Sequence, residues 1–225
     1  MQWLRIRYAR RGRARFTSHR DFGRAFERAL RRARVPMAYS SGFSPHPRIS
    51  YANASPTGSA SEAEYVEIGL AERRDPEEVQ AALDDALPVG LDIVAVQVAP
   101  GDTLADLLTA SQWRIDVVGV DVLARAVDAF LARESVEVSR MTKSGLRTFD
   151  ARSAVLQLSC QPGLPGQPGQ LVATIAHQVP LVRPDDLLSA LAAVDPDWQP
   201  THPPLLTRLS QGRIDPATGE ITPPL

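Results

Sequence analysis

Two histidines in the first fifty residues, His19 and His46, stand among arginines and aromatic residues. A histidine beside a cluster of cations can serve as general acid or base on a phosphodiester, because its ordinary pKa lies near neutrality. His19 also falls where a helix should begin, and the positive end of the helix dipole disfavours the imidazolium, which suits a base. The plainer reading of either residue is a capping or hydrogen-bonded structural histidine. His19, His46, His177 and His202 have no short ligand spacing and no matching carboxylate cluster, so no metal site is expected. No cofactor is expected either. Ser40-Ser41-Gly42 lacks the lysine of a phosphate-binding loop and the flanking glycine of a nucleophile elbow.

The arginines carry the broader signal. The chain has 25 Lys+Arg and a net charge of −1, yet thirteen arginines fall in residues 1–50 against only Asp21 and Glu27. A basic N-terminal face on an acidic body points to a polyanion partner, since arginine recognises phosphate and carboxylate through a planar, bidentate fork. Arg5, Arg7, Arg13, Arg15, Arg20, Arg24, Arg28, Arg31 and Arg48 are the candidate RNA-binding cations, with Arg11 nearby. Neutralising several phosphates drives binding by counterion release. The loop Tyr39–Arg48 adds Tyr39 and Phe43, and aromatics between cations suit stacking on unpaired bases. The competing readings are a solvated surface and two aromatics that plug the edge of the core. Lys143 is the single lysine, which fits wholesale replacement of lysine by arginine, but replacement does not explain why the charge is segregated. Lys143, Arg147 and Arg140 make a smaller basic cluster in the second half.

The elements that would position these groups follow from periodicity. Trp3–Ala9 alternates, with Leu4, Ile6 and Tyr8 on one face and Arg5 and Arg7 on the other, which reads as a half-buried strand. Ser18-His19-Arg20-Asp21 fits a capping box, and a helix is predicted over residues 19–34. At about 100° per residue, Phe22, Phe26 and Leu30 gather on one side while Arg20, Arg24, Arg28 and Arg31 gather on the other. Short strands follow near Arg48–Ala52 and Ala63–Gly69, a helix capped by Asp75 with Pro76 in its first turn, and a strand over Leu91–Ala99. The second half repeats the order. It has a strand at Trp113–Val118, a helix from Asp121 to Arg133, and strands at Val136–Arg140 and Ala154–Cys160 on either side of a turn at Lys143-Ser144-Gly145. After a Pro/Gly loop, Gln161–Gln170, come a strand at Leu171–His177, a helix through Val194 and a hairpin over Thr207–Ile221.

The expected fold class is therefore α+β, with two ferredoxin-like (split βαβ) halves in tandem: a basic half over 1–100 and a second over 111–225 with a terminal hairpin. One cysteine, Cys160, excludes an internal disulfide and a cysteine-ligated iron–sulfur cluster, and its strand context suggests an inert buried thiol. No apolar run approaches the roughly 18 residues of a membrane span and Met1–Arg15 offers no signal peptide. A cytoplasmic protein without membrane contact is expected.

Phe16-Thr17-Ser18-His19-Arg20-Asp21 together with Tyr39-Ser40-Ser41-Gly42-Phe43-Ser44-Pro45-His46-Pro47 resembles the signature of the radical-SAM-linked protein family, a domain of unknown function. Ala54-Ser55-Pro56-Thr57-Gly58, Ser61-Glu62-Ala63-Glu64-Tyr65 and Arg140-Met141-Thr142-Lys143-Ser144-Gly145-Leu146-Arg147 with Asp150 are similar to it too. The resemblance implies a partnership with a radical SAM enzyme, whose iron–sulfur cluster this chain cannot ligate. It implies no activity of the domain itself. The function expected is thus an accessory protein that binds RNA, not DNA, through its arginine-rich surface. One alternative is a metal-independent RNA-processing enzyme of tandem ferredoxin-like type using His19 or His46, and another is a protein–protein adaptor. The glycine-rich C-terminal loop of such nucleases is not evident, since Gly212 and Gly219 read as hairpin residues.

Overall fold

A computed structural model describes residues 1–117, 120–143, 145–161, 168–198, 200 and 202–225. The protein is α+β and divides into two compact units, Met1–Leu108 with Pro223–Leu225, and Thr109–Thr222.

The first unit runs β1 (Gln2–Arg10), α1 (His19–Arg32), β2 (Ile49–Ala52), β3 (Ala60–Leu70), α2 (Pro76–Ala86), β4 (Leu91–Val98) and a single-turn α3 (Leu104–Leu107). Its strands are antiparallel in the order β4-β1-β3-β2, with Leu4 opposite both Ile68 and Val98, and Ile49 opposite Ile68. Strand side chains alternate between faces, so one register sets two surfaces. Leu4, Ile6 and Tyr8 of β1 and Val66, Ile68 and Leu70 of β3 are buried in one cluster with Phe22, Phe26, Ala29 and Leu30 of α1 and Val79 and Leu83 of α2. Tyr8 stacks on Phe22 with ring centroids 4.3 Å apart. The opposite face carries a smaller cluster in which α3 and the segment after it set Leu104 and Leu108 against Ala63 and Tyr65, joined by Ala52 and Leu225. The stretch expected to separate the halves is thus partly structural, and Thr103 caps α3 by accepting from the Asp106 amide at 3.3 Å.

The second unit contains β5 (Ala110–Val117), α4 (Val120–Leu131), β6 (Glu137–Thr142), β7 (Gly145–Asp150), β8 (Val155–Gln161), β9 (Gly169–Ala176), α5 (Pro184–Val194), β10 (Leu205–Ile214) and β11 (Ile221–Thr222). Antiparallel pairing gives the order β10-β5-β9-β8, with β11 beside β10. Trp113, Ile115, Phe130, Leu171, Ile175, Leu187, Leu191 and Trp198 form its core.

One pairing departs from the sequence expectation. The strand before the 143–145 turn does not pair with Ala154–Cys160. Its partner is β7, with Glu137 opposite Asp150 and Thr142 opposite Gly145, while β8 pairs with β9. Strand β7 escapes a periodicity search because only Phe149 of its side chains is buried, while Leu146, Arg147 and Thr148 are all exposed. The cap expected at Asp121 lies in 118–122, whose side chains fall outside the described residues, as do Ser144 and most of the Pro/Gly loop, 162–167.

Candidate nucleic-acid interface

Local rules fix the phase of α1. Ser18 Oγ accepts the Asp21 amide at 3.1 Å and donates to Asp21 Oδ2 at 2.7 Å, satisfying an otherwise orphan donor at the helix start. Phe22, Phe26, Ala29 and Leu30 are each at most 2% exposed. Burial of that stripe turns Arg20, Arg24, Arg28, Arg31 and Arg32 into solvent. Arg24 lies 4.0 Å from Asp21 and Arg31 3.9 Å from Glu27, separations at which exposed pairs hold little energy. Arg20, Arg28 and Arg32 make no ion pair among the described residues, so their charge is presented to solvent.

The loop between α1 and β2 is tied at its base. Tyr39 bridges Pro47, the Ser40 amide donates to the His46 carbonyl at 2.9 Å, and the His46 amide donates to Ser40 Oγ at 3.0 Å. Arg48 Nε donates to the Tyr39 carbonyl at 3.3 Å. Above that base Phe43 is fully exposed, and Tyr39 is 55% exposed. A small cleft lined by Glu27, Leu30, Arg31, Met37, Tyr39 and Pro47 joins the loop base to α1. The structure therefore brings Tyr39 beside the arginine helix. The short 3₁₀ turn Gly12–Phe16 adds exposed Arg13, while half-buried Arg15 lies over the Phe16 ring at 4.6 Å.

Two of the expected cations do not belong to this surface. Arg5 is fully buried, with Nε 2.9 Å from Glu67 Oε1 and Nη2 2.7 Å from the Asp102 carbonyl, and Nη1 donates to the Pro224 carbonyl at 3.3 Å. Arg7 is half-buried, and its Nε is shut off from solvent without a partner. Alternation correctly sets both opposite Leu4 and Ile6, but that second face is covered too. Arg10 is likewise buried, donating to Ser55 and to the carbonyls of Arg15 and Thr17. Arg11 pairs with Glu62 and Asp92, and the bonds to Glu62 push its pKa further above the usual arginine range. Part of the basic surplus of residues 1–50 is thus neutralised by acids that lie far away in sequence.

Residues 3–184 match a family described as an uncharacterized protein conserved in bacteria, DUF2344. The chain belongs to this family. A comparison with curated proteins found no match. The DUF2344 match spans α1, the Tyr39–Arg48 loop and the buried Arg5 network, and ends at the first residue of α5.

In this DUF2344 protein His19 is the exposed first residue of α1, its ring edge-on to Tyr51 at 5.0 Å. His46 is exposed in the loop. Neither imidazole has a hydrogen-bond partner among the described residues, and no ring contact joins the two. A general base is ordinarily oriented by such a partner. Among the described residues no three His, Cys, Asp or Glu are grouped as metal ligands, and no helix is long and apolar enough to cross a membrane. Cys160 is half-buried, and burial, then Asp128, raises its thiol pKa. In the smaller basic cluster, Lys143 and Arg147 are exposed, but Arg140 pairs with buried Asp186 and lies over the Phe149 ring at 5.0 Å.

Two predictions arise from these contacts. Arg5→Met should destabilise the first unit by about 3 kcal/mol in urea denaturation, because it strands Glu67, whose side chain is only 14% exposed, and two carbonyls. The salt dependence of RNA binding by the folded fraction should not change, since Arg5 is buried away from the phosphates; an unaltered urea midpoint would show that the buried network is dispensable. Tyr51 presents the opposite case. Its hydroxyl is buried without a partner, and burial, then Glu27, pushes its pKa up to about 12. Tyr51→Phe should be neutral or stabilising by up to about 1 kcal/mol, and a loss of more than that would reveal a bond to this hydroxyl.

Proposed function

We propose that this protein binds single-stranded RNA through the solvent face of α1 and the adjoining Tyr39–Arg48 loop, in partnership with a radical SAM enzyme that performs the chemistry. One observation carries the reading. Arg20, Arg24, Arg28, Arg31 and Arg32 are exposed on a single helix face, with exposed Tyr39 at its side. Cations spaced along a helix track a phosphate backbone, and aromatic rings at the flank stack on unpaired bases, whereas a duplex keeps its bases out of reach. Arg13, Arg15, Arg48 and Phe43 extend the same surface; Arg5 and Arg7 are left out of it.

In each unit the main sheet is antiparallel, with its first and third long strands central and the others at the edges, a strand order that supports reading the units as two ferredoxin-like halves with the β6–β7 hairpin inserted in the second. The partnership with a radical SAM enzyme rests on the resemblance of the Phe16–Asp21 and Tyr39–Pro47 segments, and the single cysteine leaves the cluster to the partner. A cytoplasmic setting suits both.

Crosslinking in cells, with sequencing of the bound RNA and identification of co-purified proteins, tests the proposal. RNA should be recovered, crosslinked peptides should come from α1 and the 39–48 loop, and a radical SAM enzyme should co-purify. Recovery of RNA no greater from wild type than from an Arg24/Arg28/Arg31 alanine variant would count against it. His19→Ala and His46→Ala should each leave an RNA substrate as intact as wild type does. Cleavage by pure wild type, abolished in one of them with binding retained, would show a nuclease instead.

A further inference from the structure

The face of the first unit's sheet that lies opposite α1 and α2 holds a cavity of about 460 Å³, within the usual range for small-ligand sites. Trp3 of β1, Ser50 of β2 and Glu67 of β3 form its floor and the segment containing Asp102 and Thr103 its wall. Strand alternation accounts for the floor. Leu4 and Ile68 point into the main core, so Trp3, Arg5, Glu67 and Gly69 share the other face. Trp3 is opposite Gly69 in the register, and a Cβ at Gly69 would stand 3.5 Å from the indole and 3.1 Å from Arg48 Cβ. The tight approach there is to Arg48, and the indole lies at ordinary contact distance over Gly69.

The lining has a definite chemistry. It includes the acidic residues Glu67 and Asp102 and no arginine, lysine or histidine, so it does not suit a phosphate. The buried guanidinium of Arg5 is consumed, holding Glu67 Oε1 and two carbonyls. That pairing fixes the position of the Glu67 carboxylate, while Glu67 Oε2 accepts no hydrogen bond among the described residues. A flat ring in the floor and a fixed, unused carboxylate oxygen together define a ligand that is aromatic and carries an N–H donor at its edge.

We propose that this cavity binds one unpaired nucleobase bearing an exocyclic amino group, stacked on Trp3 with the amino group donating to Glu67 Oε2. The proposal rests on the RNA-binding reading and names what in the RNA is read. The arginine face holds the backbone and supplies no sequence preference, whereas the cavity does. Strand β2 connects the two faces, since Tyr51 lines the cavity and also packs on Phe22 and His19. Adenine, cytosine and guanine carry an exocyclic amino group; uracil carries none and has only its ring N3–H, flanked by two carbonyls that a carboxylate repels.

The test follows the indole N–H resonance of Trp3, assigned by its absence in Trp3→Phe, during titration with adenosine and with uridine. Adenosine should move the Trp3 resonance and leave those of Trp113 and Trp198 in place, and uridine should bind about tenfold more weakly. In parallel, affinity for a twelve-residue oligo(A) RNA should fall about tenfold in Trp3→Ala with the salt dependence unchanged, and Trp3→Phe should restore it. An indole resonance unmoved by both nucleosides, or moved equally by both, would overturn the cavity assignment. Oligo(A) binding that is equal in wild type and Trp3→Ala would do so as well, and would leave the arginine surface standing. A resonance that responds to adenosine in a protein with no affinity for oligo(A) supports the cavity and overturns the RNA reading.

Discussion

Replacing Arg24, Arg28 and Arg31 together with alanine is expected to leave the fold intact and to lower affinity for single-stranded RNA by roughly 100-fold at 0.1 M salt. All three side chains are exposed, their two ion pairs are long, and the stripe they oppose is untouched. Alanine is also the best helix former, so α1 should hold. Each phosphate contact to a single strand contributes about 0.7 to the log–log salt slope, so three lost contacts remove about two units of slope. Fluorescence anisotropy across a salt series reads both quantities, with circular dichroism as the check on folding. A folded triple variant that binds RNA like wild type would remove α1 from the interface.

Phe26→Ala should destabilise the first unit by about 3–5 kcal/mol. Phe26 has no exposed surface and lies 5.5 Å from the Phe22 ring, which itself stacks on Tyr8 of β1, so its removal opens a void between helix and sheet. The same ring sets the rotation of α1 that turns the arginines outward. Urea denaturation followed by far-ultraviolet circular dichroism measures the cost. A midpoint within error of wild type would mean that the helix is phased differently, and the arginine face would lose its basis.

The helix was legible because its signals agree. The Ser18 cap, the i, i+4, i+8 spacing of Phe22, Phe26 and Leu30, and the opposed arginines all point to one phase, and the structure buries that stripe. Strand β1 was legible on one face only. Alternation correctly separated Leu4, Ile6 and Tyr8 from Arg5 and Arg7, yet the second face is also covered, because the segment around Asp102 and the C-terminal residues Pro223–Leu225 return to it. No local pattern announces a contact 97 or 219 residues away. Charge counting has the same blind spot. It registered thirteen arginines, but Glu62, Glu67 and Asp92, which neutralise Arg5 and Arg11, lie on strands whose register the sequence does not state. Strand β7 was missed because a two-stranded ribbon with one buried ring lacks the alternation that marks a half-buried strand. The cavity at Trp3 depends on cross-strand neighbours, so neither its flat ring nor its anchored carboxylate could be read from spacing.

The most direct test of the central claim is the salt dependence of binding by the wild-type protein to a twelve-residue single-stranded RNA between 50 and 400 mM salt. With four or more arginines of α1 and its flank on the phosphates, the logarithm of affinity should fall linearly with the logarithm of salt concentration, with a slope of about −3. No binding at 50 mM, or binding that does not respond to salt, would contradict an arginine surface that recognises RNA.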